Sequence, residues 1–247
     1  MSASWAAPIL LTAQTTSAAP PKWVVTTLAV VLGILLLAGW FAWDQWRNAR
    51  LRALARNLGL RFHEHGPREV RLPRDFVLCR NILGDSPGMR WMMDGALEGV
   101  AVEVFEFRRI VDPNKQNTRG YPAVVVALDA TELSLPDFVV QPERWRHKLL
   151  DATKGGDIDF SDAPDFSRRF RLRAPDETAS RHCFGPEVRR FFEARRNLSA
   201  QSIEGKLFCF RLTRLFAWGG FGAKRIRRLV EDARALRVLL RTRVLSN

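Results

Sequence analysis

Residues 96–109 read ALEGVAVEVFEFRR, and their spacing decides what kind of fold the chain builds. Glu98-Gly99 is a turn pair set between apolar runs. Beyond it the period is two. Val100, Val102 and Val104 fall on one side of an extended chain, Phe105 and Phe107 on the other.

Working outward, the same logic recurs. YPAVVVALD (121–129) is a nearly continuous apolar run, which predicts a central strand covered on both faces. DPNKQNTRG (112–120) between the two is a polar loop or hairpin tip. LPDFVVQPE (135–143) is a short strand bracketed by Pro136 and Pro142, which places it at an edge. LSAQSIEGKLFCFRL (198–212) predicts a hairpin turning at Glu204-Gly205, with Phe208, Phe210 and Leu212 on one face. Ile203-Glu204-Gly205 followed by KLFCF echoes Leu97-Glu98-Gly99 followed by VAVEVF. The echo reads more simply as shared turn chemistry than as an internal duplication. LRFHEH (60–65) alternates like a short strand, and Phe170 to Arg173 is extended.

Helices are expected where the period changes. Pro175-Asp176 starts a helical turn running to Phe184, and Pro186 suits the first position of PEVRRFFEARRN. Residues 221–244 form a basic amphipathic helix with the stripe Ile226, Leu229, Val230, Ala233, Leu236 and Leu240. That helix has three readings: packed on the sheet, lying in the headgroup layer, or binding a partner helix or acidic ligand. Consecutive strands with few crossover helices give an α+β domain over 59–214, mostly antiparallel.

The start of the chain is different. WVVTTLAVVLGILLLAGWFAW (23–43) has 21 residues without a charge. At about 1.5 Å per residue it covers a hydrocarbon core of about 30 Å, with tryptophans at both ends, where indoles favour the headgroup level. No basic residue precedes Lys22, so it does not fit a cleaved signal peptide. Arg47, Arg50, Arg52 and Arg56 follow it, and the positive-inside rule puts that end in the cytoplasm. Residues 1–22 are then an external, disordered tail rich in Ala, Ser, Thr and Pro, and 44–58 a juxtamembrane helix ending at Gly59. Cys79, Cys183 and Cys209 are scattered and odd in number, as free thiols in a reducing compartment are.

The formal net charge is +13 and the pI about 11.0. Beside a bilayer, that charge is attracted to anionic headgroups; Arg47, Arg50, Arg225 and Arg228 are the candidate lipid-binding residues. Nucleic acid ranks lower, because the arginines are spread along the chain and no binding signature accompanies them. GxSxG, Walker and GxGxxG motifs are absent.

One segment offers metal chemistry. GGDIDFSDAPDFSRRF (155–170) holds Asp157, Asp159, Asp162 and Asp165. As a calcium loop, Asp157, Asp159 and Ser161 would fill positions one, three and five. Position six is then Asp162 instead of Gly, and position twelve Arg168 instead of the closing Glu. A phosphatase-type DxD needs an apolar strand before it, and DATKGG is none. The cyclase-like GGDEF pattern fails at Ile158. Magnesium held by two carboxylates plus a phosphate ligand stays open, and Asp157, Asp159 and Asp162 are the candidate metal ligands of the alternative reading. The competing reading is a turn-rich loop, with Arg168, Arg169, Arg171 and Arg173 as counter-charges. His63 and His65 share a strand face but lack further zinc ligands. His182 and Cys183 point about 100° apart on a helix. No catalytic residue and no cofactor is assigned.

The order of segments resembles an uncharacterised family of bacterial single-pass membrane proteins. One span, a G-L-x-F strand start, the turn strand Glu98 to Phe107, LPDFVVQPE, the acidic DxDF segment leading to P-x-F-S-R-R, and FGPEVRRFF carry the resemblance, over Gly59 to Leu212. It implies a bacterial inner-membrane setting and a single cytoplasmic α+β domain. It implies no activity. The expected protein is a tethered, non-enzymatic module binding a protein partner or anionic lipid, the alternative being a metal-dependent enzyme or sensor.

Overall fold

The computed structural model describes residues 21–65, 72–73, 75–78, 88–108, 122–143, 156–212 and 222–245. The expected tail before residue 21, the loop 112–120, Cys79 and the break at 218–221 lie outside them. The chain divides into Met1–Trp46 and Arg47–Asn247.

The first helix, α1 (Lys22–Leu58), contains one segment long and apolar enough to cross a membrane. None of that segment is buried by protein. Trp23 is 71% exposed and Leu37 68%. Uncovered Leu, Val and Trp along a helix whose backbone bonds are satisfied internally suit a lipid environment.

Arg47–Asn247 begins inside α1. Leu51, Leu54 and Ala55 are buried at helical spacing. The helix then stops in a Schellman motif at Gly59, whose φ is +70°. The Leu60 amide donates to the Ala55 carbonyl at 2.8 Å and the Gly59 amide to that of Arg56 at 3.1 Å.

Eight strands form one antiparallel sheet: β1 (Arg61–His63), β2 (Gly88–Leu97), β3 (Val100–Arg108), β4 (Pro122–Asp129), β5 (Phe138–Pro142), β6 (Phe170–Arg173), β7 (Ser199–Ile203) and β8 (Lys206–Leu212). Their order is β1-β2-β3-β4-β8-β7-β5-β6. Both Glu-Gly pairs make two-residue hairpins. Leu97 pairs with Val100 and Ile203 with Lys206. All four turn residues have positive φ (Glu98 52°, Gly99 81°, Glu204 50°, Gly205 71°), as a type I′ turn requires.

β4 lies between β3 and β8 and is buried on both faces. Val124, Val126 and Leu128 join the larger core, together with Val102 and Val104. Ala123, Val125 and Ala127 join a smaller one, with Phe105, Phe107, Phe208 and Phe210. Phe76, Val77 and Leu78 cover that second face. Gln201 holds them by accepting from the Val77 amide and donating to the Asp75 carbonyl.

Two expectations change. β5 is not an edge: it pairs with β7 through Phe138–Val140 and with β6 through Val139–Pro142. Pro136 lies before the strand and Pro142 at its last position, so neither interrupts the overlap. The sequence reading also missed β2. A bulge between Met89 and Met92 shifts its alternation, and Asp94 and Gly95 dilute the apolar signal.

The larger core lies under the helices α2 (Pro164–Arg169), α3 (Glu177–Cys183), α4 (Pro186–Glu193) and α5 (Ala223–Leu245). Asp176 caps α3 by accepting from the Ala179 amide. The α5 stripe is fully spent here: Ile226, Leu229, Val230, Ala233, Leu236 and Leu240 are all 0–1% exposed. Burying each large apolar side chain gains about 1.5–3 kcal/mol. The packed reading of this helix therefore holds, and its apolar face is not available to the headgroup layer.

Candidate functional site

The acidic segment is an edge piece of the sheet. The Ile158 amide donates to the Leu172 carbonyl at 2.8 Å, and Asp157 bridges to Arg173. Alternation then turns Ile158 and Phe160 into the core and Asp157 and Asp159 outward. Phe166 is wholly buried, ringed by Phe160, Phe170, Phe184 and Phe192 at 5.6–6.4 Å. The Phe160 amide donates to Ser167 Oγ at 2.8 Å, which closes the turn.

The carboxylates go to different arginines. Asp157 takes Arg171 at 2.7 Å and Arg173 at 3.0 Å. Asp162 takes both Nη atoms of Arg189, at 2.6 and 2.7 Å, and Arg189 also lies 4.5 Å from the Phe160 ring. The Arg189 fork holds the Asp162 carboxyl below its ordinary value. Asp165 pairs with Arg168. Asp159 is exposed, and its backbone carbonyl accepts from Arg181. Among the described residues, no three His, Cys, Asp or Glu side chains converge as a metal site would require. His63 faces Asp94, shared with Arg61. Burial alone would raise the Asp94 carboxyl, but these two hydrogen bonds outweigh it and lower it. Cys183 and Cys209 are free and buried, and burial pushes both thiols up.

Two groups of basic residues stand out. One group is built into the fold. Arg47 is buried and lies 3.8 Å from Glu106, which also accepts from Trp91 Nε1 at 2.6 Å. Arg195 and Arg211 both clamp the buried Asp232 of α5 at 2.6 Å. Arg237 ties α5 to Glu132 at 2.7 Å and to the Asp129 carbonyl at 3.0 Å.

The other group sits at the start of α5. Lys224, Arg225, Arg227 and Arg228 are exposed, and none has an ion-pair partner among the described residues. No acidic residue lies in that first turn. Cations in the first turn of a helix, here Lys224 and Arg225, oppose the macrodipole at about 0.3–1 kcal/mol each, so their placement costs the fold stability. Three of the four, with Arg50 of α1, rim an open groove of about 780 Å³. Ala53, Leu54 and Ala223 form its apolar part, Asn57 also lines it, and Glu231 adds one carboxylate. Of the sequence candidates, Arg50 and Arg228 therefore meet at the groove, Arg225 lies beside it in sequence, and Arg47 is turned into the core. Lys224 and Arg227 were not singled out. Their signal was present: basic positions in the first two turns of a helix whose first turn holds no acid.

No protein-family model matches the chain, and no curated protein does. Among solved structures, the crystal structure of the mycobacterial trehalose monomycolate transport factor A, TtfA, is similar, with a TM-score of 0.51 and 14% identity. The match covers 78% of this chain and 93% of that one. At that identity the likeness is one of fold: an α+β unit built on an antiparallel sheet.

Proposed function

We propose that this chain is a single-pass protein of the bacterial inner membrane, with the residues before the span outside. Its cytoplasmic unit is a non-enzymatic module that binds at the membrane surface, to anionic lipid or to a protein partner. The observation that carries this reading is the cluster of exposed cations opening α5, which have no ion-pair partner among the described residues. The apolar span supports it by keeping the unit near a bilayer. The fold shared with a transport factor agrees with an accessory role and supplies no chemistry of its own.

Hydrogen exchange of the full-length chain in nanodiscs tests the reading. Amides of 222–230 should exchange more slowly in discs containing phosphatidylglycerol than in phosphatidylcholine alone. Equal exchange in both would remove the lipid half of the proposal. An active alkaline phosphatase fused after residue 247 would place the unit outside and overturn the orientation.

A further inference from the structure

The groove between the second half of α1 and the first turns of α5 combines features that one ligand class satisfies together. We propose that it holds the phosphate headgroup of a single anionic membrane lipid, with the start of an acyl chain against Ala53 and Ala223. This rests on the membrane-surface reading above and narrows it to one site and one ligand.

Charge comes first. Four cations against one carboxylate line the groove. Arginine forks match phosphate oxygens in pairs, and lysine adds a point charge. The floor comes second. Half-buried Ala53 and Ala223, with the edge of buried Leu54, give an apolar surface beside Asn57 and the charges, which a free phosphate or an acidic peptide does not require. An amphiphile uses both layers. Reach comes third. Arg50 follows Trp43, the last residue of the apolar run, by seven positions. Even fully extended, that chain keeps Arg50 within about 25 Å of the end of the span. Finally, the α5 stripe is already buried in the core. Attraction of this helix to lipid must therefore act through its basic face, by taking a headgroup to the protein rather than inserting the helix.

The test is native mass spectrometry of the full-length chain in neutral detergent. Phosphatidylglycerol and phosphatidylcholine with identical acyl chains are the probes. One phosphatidylglycerol adduct is expected, with phosphatidylcholine at least about tenfold weaker. Arg227→Gln with Arg228→Gln should abolish the preference. Ala53→Trp should also abolish it, by filling the groove while leaving every charge in place. Ala223→Leu serves the same purpose if Ala53→Trp unfolds by circular dichroism. Arg190→Gln with Arg196→Gln, which removes two exposed cations elsewhere, should leave the adduct intact.

Equal binding of the two lipids would overturn the proposal. So would an unchanged adduct in the groove-filled variant, because diffuse charge would then suffice. Displacement of the lipid by inorganic phosphate at equal concentration would assign the groove to a free anion, and by a polyglutamate peptide to an acidic protein partner; either overturns it. If the adduct is missing but residues 222–230 remain protected in anionic nanodiscs, the groove proposal falls and the membrane-surface reading stands.

Discussion

Replacing Phe166 with Ala separates two accounts of the acidic segment. If the segment exists for its carboxylates, the apolar residues between them are filler. If it is an edge clasp, Phe166 carries it. The ring is 0% exposed and sits 5.6–6.4 Å from four other phenylalanine rings. Truncating such a side chain costs about 3–5 kcal/mol, as lost transfer energy plus a cavity. For a domain of this size about 1 kcal/mol shifts Tm by about 2–4 °C. Phe166→Ala should therefore lower Tm by about 10 °C. Asp157→Asn breaks only partly exposed pairs with Arg171 and Arg173, worth about 0–1 kcal/mol, and should lower it by less than about 4 °C.

Calorimetric melting of the full-length chain in detergent measures both variants. The reasoning fails if Asp157→Asn with Asp159→Asn destabilises as much as Phe166→Ala. It also fails if millimolar calcium or magnesium raises the wild-type Tm and that rise disappears in the double variant. Ligand binding to the folded state raises Tm by mass action, so that outcome would return the aspartates to metal chemistry.

Three other outcomes are expected. Gly205→Ala should destabilise more than Gly99→Ala in the same melting assay. Both positions have positive φ, costing about 1–2 kcal/mol for a side chain, but only at Gly205 does the new Cβ meet a neighbour, Thr131 Oγ1 at 3.0 Å. The Asp162 carboxyl should titrate below 3.8 by NMR and return toward that value in Arg189→Gln. Because its folded value is depressed, the stability it contributes is present above about 3.8 and is lost as pH falls through the folded value. In a Cys79→Ser, Cys183→Ser background, Cys209 should resist maleimide at neutral pH and react fully in denaturant, since burial both raises its pKa and blocks access.

Period-two patterning made most of the sheet legible. β3, β4 and the β7–β8 hairpin declare themselves through alternating Val and Phe and through two Glu-Gly turns. The C-terminal helix was legible as a helix, and its stripe pointed first to the core, but Leu, Ile and Val at that spacing also suit a headgroup layer. Only tertiary packing distinguishes them. β2 was hidden by its bulge, and β5 was misplaced because proline position within a ladder matters more than proline count. For the candidate groove, Arg50 and Arg228 were visible as basic residues near the span. Their meeting with Lys224 and Arg227 depends on how α5 docks, which no local pattern encodes.

The arginines gain meaning from how the carboxylates are distributed. Arg189, Arg195, Arg211 and Arg237 each reach a carboxylate distant in sequence, at Asp162, Asp232 or Glu132. Those pairs tie α4, α5 and β8 to the rest of the unit. Acidic residues are thus spent as fasteners, and the positive excess is what remains. A chain basic only for solubility would scatter that remainder. Here part of it is gathered in the first turns of one helix, against the macrodipole and over an apolar floor beside α1. Repulsion among those cations and with the helix terminus disfavours the empty state. An anion bound there relieves both terms at once, so the same charges that weaken the fold strengthen binding.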